Sequence, residues 1–249
     1  MAQKKSPPTL THPWRSVTDI RDALGRAREF GAQHARQLAE MNGRVAKRRQ
    51  ELDATLSDLP TAQRMQVLSR ALGGLRAELK RSSRDDRLAR LRSLDAVRRE
   101  VADAKAHYNS SVQMLMREGL GGERRSRLMQ QLEHSGDVEL ASLAALAVST
   151  KDRELAAVLV ARVQRISHAE RPFSPQELAD LIVGDEFRAV QGAIMEVEDI
   201  AARAMIEDRA FETGRSSGER GIGLALRARE RSELGVPEAA LDQLAEQED

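Results

Sequence analysis

Five histidines, His12, His34, His107, His134 and His168, are the side chains here best suited to metal binding or general acid–base work. They sit on separate segments. None has another histidine or a carboxylate at the spacing of a metal-binding helix such as HExxH. Glu196, Asp199 and Glu207 fall near one helical face but lack a Glu-x-x-His companion, and read as a solvated acidic face. The absence of cysteine excludes disulfides, thiolate metal sites and a cysteine nucleophile, and fits a reducing compartment. The glycine-rich stretch TGRSSGERGIG, Thr213 to Gly223, lacks the Lys-Ser/Thr ending and the preceding strand of a phosphate-binding loop, and reads as a linker. These residues predict no catalytic centre, no metal, no cofactor and no small-molecule substrate. The chain reads as something other than an enzyme.

Phosphate recognition asks for less, because clustered cations suffice. Lys80, Arg81, Arg84, Arg87, Arg90, Arg92, Arg98 and Arg99 form such a run against Asp85, Asp86 and Asp95. Lys47-Arg48-Arg49 and Arg124, Arg125 and Arg127 add to it. The run is sufficient for weak, salt-sensitive nucleic-acid binding, but no docking helix-turn-helix or stacking aromatics accompany it. Arginine is also an ordinary solvated-face residue of a coiled coil. Charge is divided along the chain: residues 1–134 hold 27 Lys and Arg against 16 Asp and Glu, while residues 135–249 hold 13 against 23. A basic half beside an acidic half points to an acidic partner surface, or to the acidic half of a neighbouring copy.

The elements that position these residues are helices. Aromatic residues make up 2% of the chain and charged residues 32%, the profile of long helices packed by Leu, Val and Ala. Every seventh residue from Val17 gives Val17, Leu24, Gly31, Leu38, Val45, Leu52 and Leu59. The alternate row is Ile20, Ala27, His34, Met41, Arg48 and Thr55, which degrades toward its end. This spacing predicts a helix from about Val17 to Leu59, roughly 65 Å long at 1.5 Å per residue. Its seam of Val17, Ile20, Leu24, Leu38, Met41, Val45, Leu52 and Leu59 must be covered by another helix or a partner. Ser16 or Thr18 caps its start, and Gly31 and His34 mark a crossing point or a wider gap.

Pro60 ends that helix in a tight turn, and a second carries Met65, Leu68, Leu72, Leu75 and Leu79. Gly73-Gly74 within it suggests close approach by a neighbouring helix. The 3-3-3 spacing from Leu88 to Val97 suggests a kink or turn near Ser82-Ser83, with the helix then running to Arg117 before Gly119, Gly121 and Gly122. Beyond the glycines come a short basic helix over 123–134 and two apolar helices, Asp137 to Val148 and Leu155 to Ile166, each expected to be buried. Ser174, Pro175 and Glu177 open a helix that Gly184 ends, and another follows from Asp185 to Thr213.

The expected organisation is all-α: an extended arm over 1–15, long antiparallel coiled-coil helices over 16–118, a compact acidic helical domain over 119–213, and a linker with short helices and an acidic tail over 214–249. Trp14 stands where the arm meets the first helix, as a cap over the bundle end or an anchor in a partner pocket. The start, MAQKKSPPTLTHPW, has no apolar run and so is no signal peptide, and no stretch approaches ~18 apolar residues. The expected setting is the cytoplasm or the inside of an assembled particle, without a membrane. Two functions follow as expectations. One is a structural part of a larger complex, such as a virion or a secretion machine, joined by helix–helix contacts to protein partners or to copies of itself. The other is a nucleic-acid-associated helical protein using the 80–99 run.

Overall fold

The computed structural model describes residues 15–214 together with Ile222, Ala225, Leu226, Leu241 and Gln243. Trp14 and the rest of the arm, and nearly all of 215–249, lie outside the described residues. Among the described residues the fold is all-α: α1 (Val17–Thr55), α2 (Thr61–Lys105), α3 (Ser111–Leu115), α4 (Glu123–Gln131), α5 (Asp137–Thr150), α6 (Arg153–Val163) and α7 (Pro175–Thr213). No helix among the described residues is long and apolar enough to cross a membrane.

Helix starts follow the expected chemistry. The Asp19 N–H donates to Ser16 Oγ at 3.0 Å and the Ser16 N–H to the Asp19 carboxylate at 3.0 Å, a reciprocal cap on α1. The Glu177 N–H donates to Ser174 Oγ at 3.3 Å at the start of α7, and the Leu155 N–H donates to Asp152 at 3.1 Å at the start of α6.

Three boundaries differ from the sequence reading. First, α2 runs unbroken through KRSSRDDR and stops at Lys105, short of Arg117. The Ser82 and Ser83 hydroxyls donate back to the Leu79 carbonyl at 3.3 and 2.7 Å, so they neither cap a new helix nor turn the chain. The inward row is Leu79, Ser83, Arg87, Leu94, Val97, Val101 and Ala104, in which two polar residues stand where the eye seeks leucine. Through Ser83 and Arg87 the spacing is 4-4, a local unwinding rather than the overwinding that a 3-3-3 run implies. Second, α7 passes through Gly184, because a mid-helix glycine costs only about 1 kcal/mol and buried residues such as Val183 and Val190 hold both sides. Third, α1 ends at Thr55, and the turn to Pro60 follows, with the Leu59 N–H donating to the Leu56 carbonyl at 3.2 Å.

The chain gathers into two compact units. Among the described residues the first holds 15–21 and Val101–Ile194, and the second Asp22–Glu100 and 195–214. Each unit draws on both halves of the sequence, because α1, α2 and α7 contribute to both.

In the first unit α6 is the centre, with every residue from Leu155 to Val160 buried against Leu115, Leu132, Leu140 and Leu178. Helix α5 is not buried all round as expected. It turns Leu140, Ala144 and Ala147 inward and leaves Val138 83% and Leu146 49% exposed. The Tyr108 hydroxyl donates to the Arg15 carbonyl at 2.9 Å, and Val17 and Ile20 are buried in this unit.

In the second unit α1 and α2 form an antiparallel pair. Arg64 donates to Asp53 at 2.9 Å, Arg90 to Gln37, and Arg26 to Glu100 at 3.0 Å, so residue numbers fall on one helix as they rise on the other. The 195–213 portion of α7 lies parallel to α1, with Arg28 paired to Glu196 at 2.8 Å and Phe211 packed beside Leu38, Met41, Val45 and Leu79.

Candidate functional site

The two rows of α1 fix where this third helix covers the hairpin and where it stops. Leu24, Ala27, His34, Leu38, Met41 and Val45 are all buried in the second unit. Past Val45 the rows open: Arg48 and Thr55 are exposed, Leu52 is half-buried and Leu59 is exposed. The seam from Val17 to Val45 therefore faces its own chain, and only its far end faces outward. The domain boundary expected at residue 119 assigns α7 to the following domain, whereas its 195–213 portion covers α1 in the second unit.

Gly31 marks the closest approach. A β-carbon there would stand 2.6 Å from Ile200 Cγ2, so only glycine lets α7 pass this near. One turn on, His34 is 0% exposed, with Nε2 3.7 Å from the Asp208 carboxylate and no hydrogen-bond partner for either ring nitrogen. Burial pushes its imidazole below the ordinary value of 6.5. The Asp208 carboxylate opposes this, Arg87 and Arg90 add to it, and the Ala204 carbonyl opposes it without making a well-formed hydrogen bond.

Arg87 completes the cluster. It is 2% exposed, pairs with Asp208 and Glu212, donates from Nε to Ser83 Oγ at 3.0 Å, and lies 5.0 Å over the Phe211 ring. Burial works against its charge, but its hydrogen bonds to Glu212 and Asp208 outweigh that and raise the guanidinium above its ordinary value. The sequence offered a signal for this cluster in helical phase. Arg87 lies seven residues before Leu94 on the inner row of α2, and Asp208 falls between Ala204 and Phe211 on that of α7.

The cationic run is divided by this arrangement. Arg87 faces inward and is lost to any phosphate. Lys80 donates to the Glu212 carbonyl at 2.6 Å, Arg90 is half-buried against Gln37, and Arg98 and Arg99 pair with Asp95 at 2.7 and 2.6 Å. Arg81, Arg84 and Arg92 are exposed and share one face of α2, within about 80° at 3.6 residues per turn.

Beyond Val45 the hairpin surface is plain. Leu68 is buried, but Met65 is 60% exposed, Val67 and Leu59 are exposed, and a β-carbon added at Gly73 or Gly74 would meet nothing within 4 Å. The close approach expected at Gly73-Gly74 is therefore not made by any described part of this chain.

The other chemistry-bearing residues do not converge. His107 accepts from Arg117 at 3.1 Å, while His134 and His168 are exposed. Asp199 is buried, Glu196 is tied to Arg28 and Glu207 is exposed, so the three carboxylates do not form one solvated face. Among the described residues no group of three or more His, Cys, Asp or Glu could hold a metal ion. In an open groove beside Phe173 in the first unit, Arg171 donates to the Ile166 carbonyl and Gln176 to Ser111 and Asp180. No protein-family model matches the chain, and no curated protein or solved structure is significantly similar to it.

Proposed function

We propose that the chain is a non-catalytic assembly protein that works by helix–helix contact, and that the far end of the α1–α2 hairpin, residues 46–78, is the contacting part. The observation that supports this is the abrupt end of cover at Val45. The apolar rows continue on both helices while the third helix stops at Thr213. Leu59 and Met65 then stand in water at the open end of these rows, while Val67 and Gly74 share the opposite face of α2. Residues 46–78 carry Lys47, Arg48, Arg49, Arg64, Arg70 and Arg76 against Glu51, Asp53, Asp58 and Glu78. That excess favours a partner helix flanked by acidic residues over a second hairpin end.

The test is sedimentation of the full chain at low and high salt, beside a Met65→Asp/Val67→Asp variant. Association through apolar contact persists in salt and is lost in the variant. Wild-type and variant that sediment identically, and retain the same proteins from an extract of the source organism, refute the reading.

A second reading rests on the shared face of Arg81, Arg84 and Arg92, a small electrostatic footprint for nucleic acid. Its affinity falls steeply with salt and disappears in Arg84→Glu/Arg92→Glu. Retention unchanged by that variant removes it.

A further inference from the structure

We propose that residues 195–213 of α7 form an acid-released strap over the α1–α2 hairpin, with the buried His34 imidazole as its trigger. The geometry carries the argument. His34 sits under the strap with 0% exposure and with both ring nitrogens unpartnered. A neutral imidazole tolerates this, but an imidazolium needs a carboxylate or water. The Asp208 carboxylate is 3.7 Å away and already serves Arg87.

Every packed element contributes to the balance at the ring. From α7 come the Asp208 carboxylate and the Ala204 carbonyl, with Glu212 engaged through Arg87; from α2 come the guanidinium groups of Arg87 and Arg90. Asp199 is also buried on α7. Arg87 already engages both nearby carboxylates, Asp208 and Glu212, so a further positive charge at the ring is poorly placed.

The strap is the element that yields. Its inward row is Val197, Ala201, Ala204, Asp208 and Phe211, with Ile200 against Gly31, so a charged pair interrupts its apolar contacts at Asp208. The hairpin beneath keeps Leu38, Met41, Val45 and Leu79 against each other. The last stretch of a helix opens at lower free energy than the core it covers. Opening would hydrate His34 and let it take up a proton. It would also uncover Leu38, Met41 and Val45, making one continuous apolar row with the hairpin end.

The sign follows from linkage. The closed form holds the imidazole below its ordinary value, so the open form binds more protons once pH falls below about 6.5. One extra proton in the open form makes opening up to about tenfold easier per pH unit, down to the closed-form value.

Hydrogen exchange of the full chain, corrected for intrinsic rates, tests this at about pH 7.5 and about pH 5.5, either side of the ordinary imidazole value. Wild type should lose protection in 195–213 by about tenfold, while α6 in the first unit keeps its own. His34→Met, neutral at every pH, should show the same protection of 195–213 at both. Acid loss of equal size in His34→Met overturns the proposal. Should that variant fail to fold, the wild-type imidazole resonance decides: titration at or above about 6.5 with 195–213 still closed overturns it equally. Titration below that value, together with the opening of 195–213, supports it.

Discussion

Replacing Arg87 by alanine removes the guanidinium that pairs with Asp208 in the interior of the second unit. With it go the ion pairs to Asp208 and Glu212, the Nε–H bond to Ser83 and the cation–π contact with Phe211. The carboxylate decides the magnitude. Asp208 is 9% exposed, and a buried charge stripped of its partner costs about 3–5 kcal/mol. The contact to Glu212 adds little, since that side chain is 42% exposed and water screens it to about 0–1 kcal/mol. Arg87→Ala should therefore destabilise the second unit by about 3–5 kcal/mol, a loss of about 10²–10⁴-fold in the protection of its most slowly exchanging amides. Removing both charges together is a different perturbation. Arg87→Met/Asp208→Leu leaves no orphan and should return to within about 1 kcal/mol of wild type, or exceed it. Hydrogen exchange resolved by segment is the right assay, because a chain of two units need not unfold in one step. A loss below about 1 kcal/mol in Arg87→Ala would mean that water reaches the cluster, and the reasoning fails. So does a double variant as unstable as the single one. A phosphate-binding Arg87 would give the opposite pattern, with nucleic-acid retention lost and stability unchanged.

Other expectations follow from single contacts. Gly31→Ala should cost about 1–3 kcal/mol by overpacking against Ile200, less about 1 kcal/mol of helix propensity; in an Ile200→Ala background the same change should become stabilising, a reversal that thermal melting reads directly. Gly73→Ala and Gly74→Ala meet nothing within 4 Å, so each should raise the melting temperature of the isolated chain by about 0.5–1 kcal/mol equivalent, and each should weaken association if a partner helix uses that surface. Asp152→Ala should cost about 0.5–2 kcal/mol at neutral pH through loss of the α6 cap. Burial pushes the Asp152 carboxyl up, but Arg124 and the Leu155 N–H outweigh this and hold it below 3.8. Its contribution is therefore present above that value and fades as pH falls through the depressed one, so melting at about pH 7 and about pH 3 should show the gap between wild type and variant closing.

Much of the fold was legible because helices announce themselves locally. Reciprocal capping by Ser16 and Asp19, the turn before Pro60 and the Ser174 start are contacts within one turn of chain, and the residues that make them are adjacent in sequence. The rows of α1 were legible too, down to the point where the second one degrades: His34 and Met41 are buried, Arg48 and Thr55 are not. What a row cannot carry is the identity of the helix lying on it. An apolar stripe is satisfied equally by a neighbour from the same chain or another, and the glycines at 119, 121 and 122 set α7 apart from the hairpin in sequence. The buried cluster was missed for a related reason. Reading only apolar residues turns Ser83 and Arg87 into a break in α2, whereas the backbone follows phase and accepts a charge wherever a counter-charge is supplied from across the interface.

The glycines separate these two kinds of information. Gly31 and Gly73-Gly74 stand in similar helical contexts, and each gives up about 1 kcal/mol of helix propensity. Gly31 returns something visible, since Ile200 passes where a methyl group would stand. Gly73 and Gly74 return nothing within the described chain; Gly25 and Gly43, on the stretch of α1 that α7 covers, meet nothing either because they face outward. On the proposed function, this open surface of α2 is where an outside helix packs. The same substitution to alanine that hurts at Gly31 should therefore help at Gly73 until that outside helix is present.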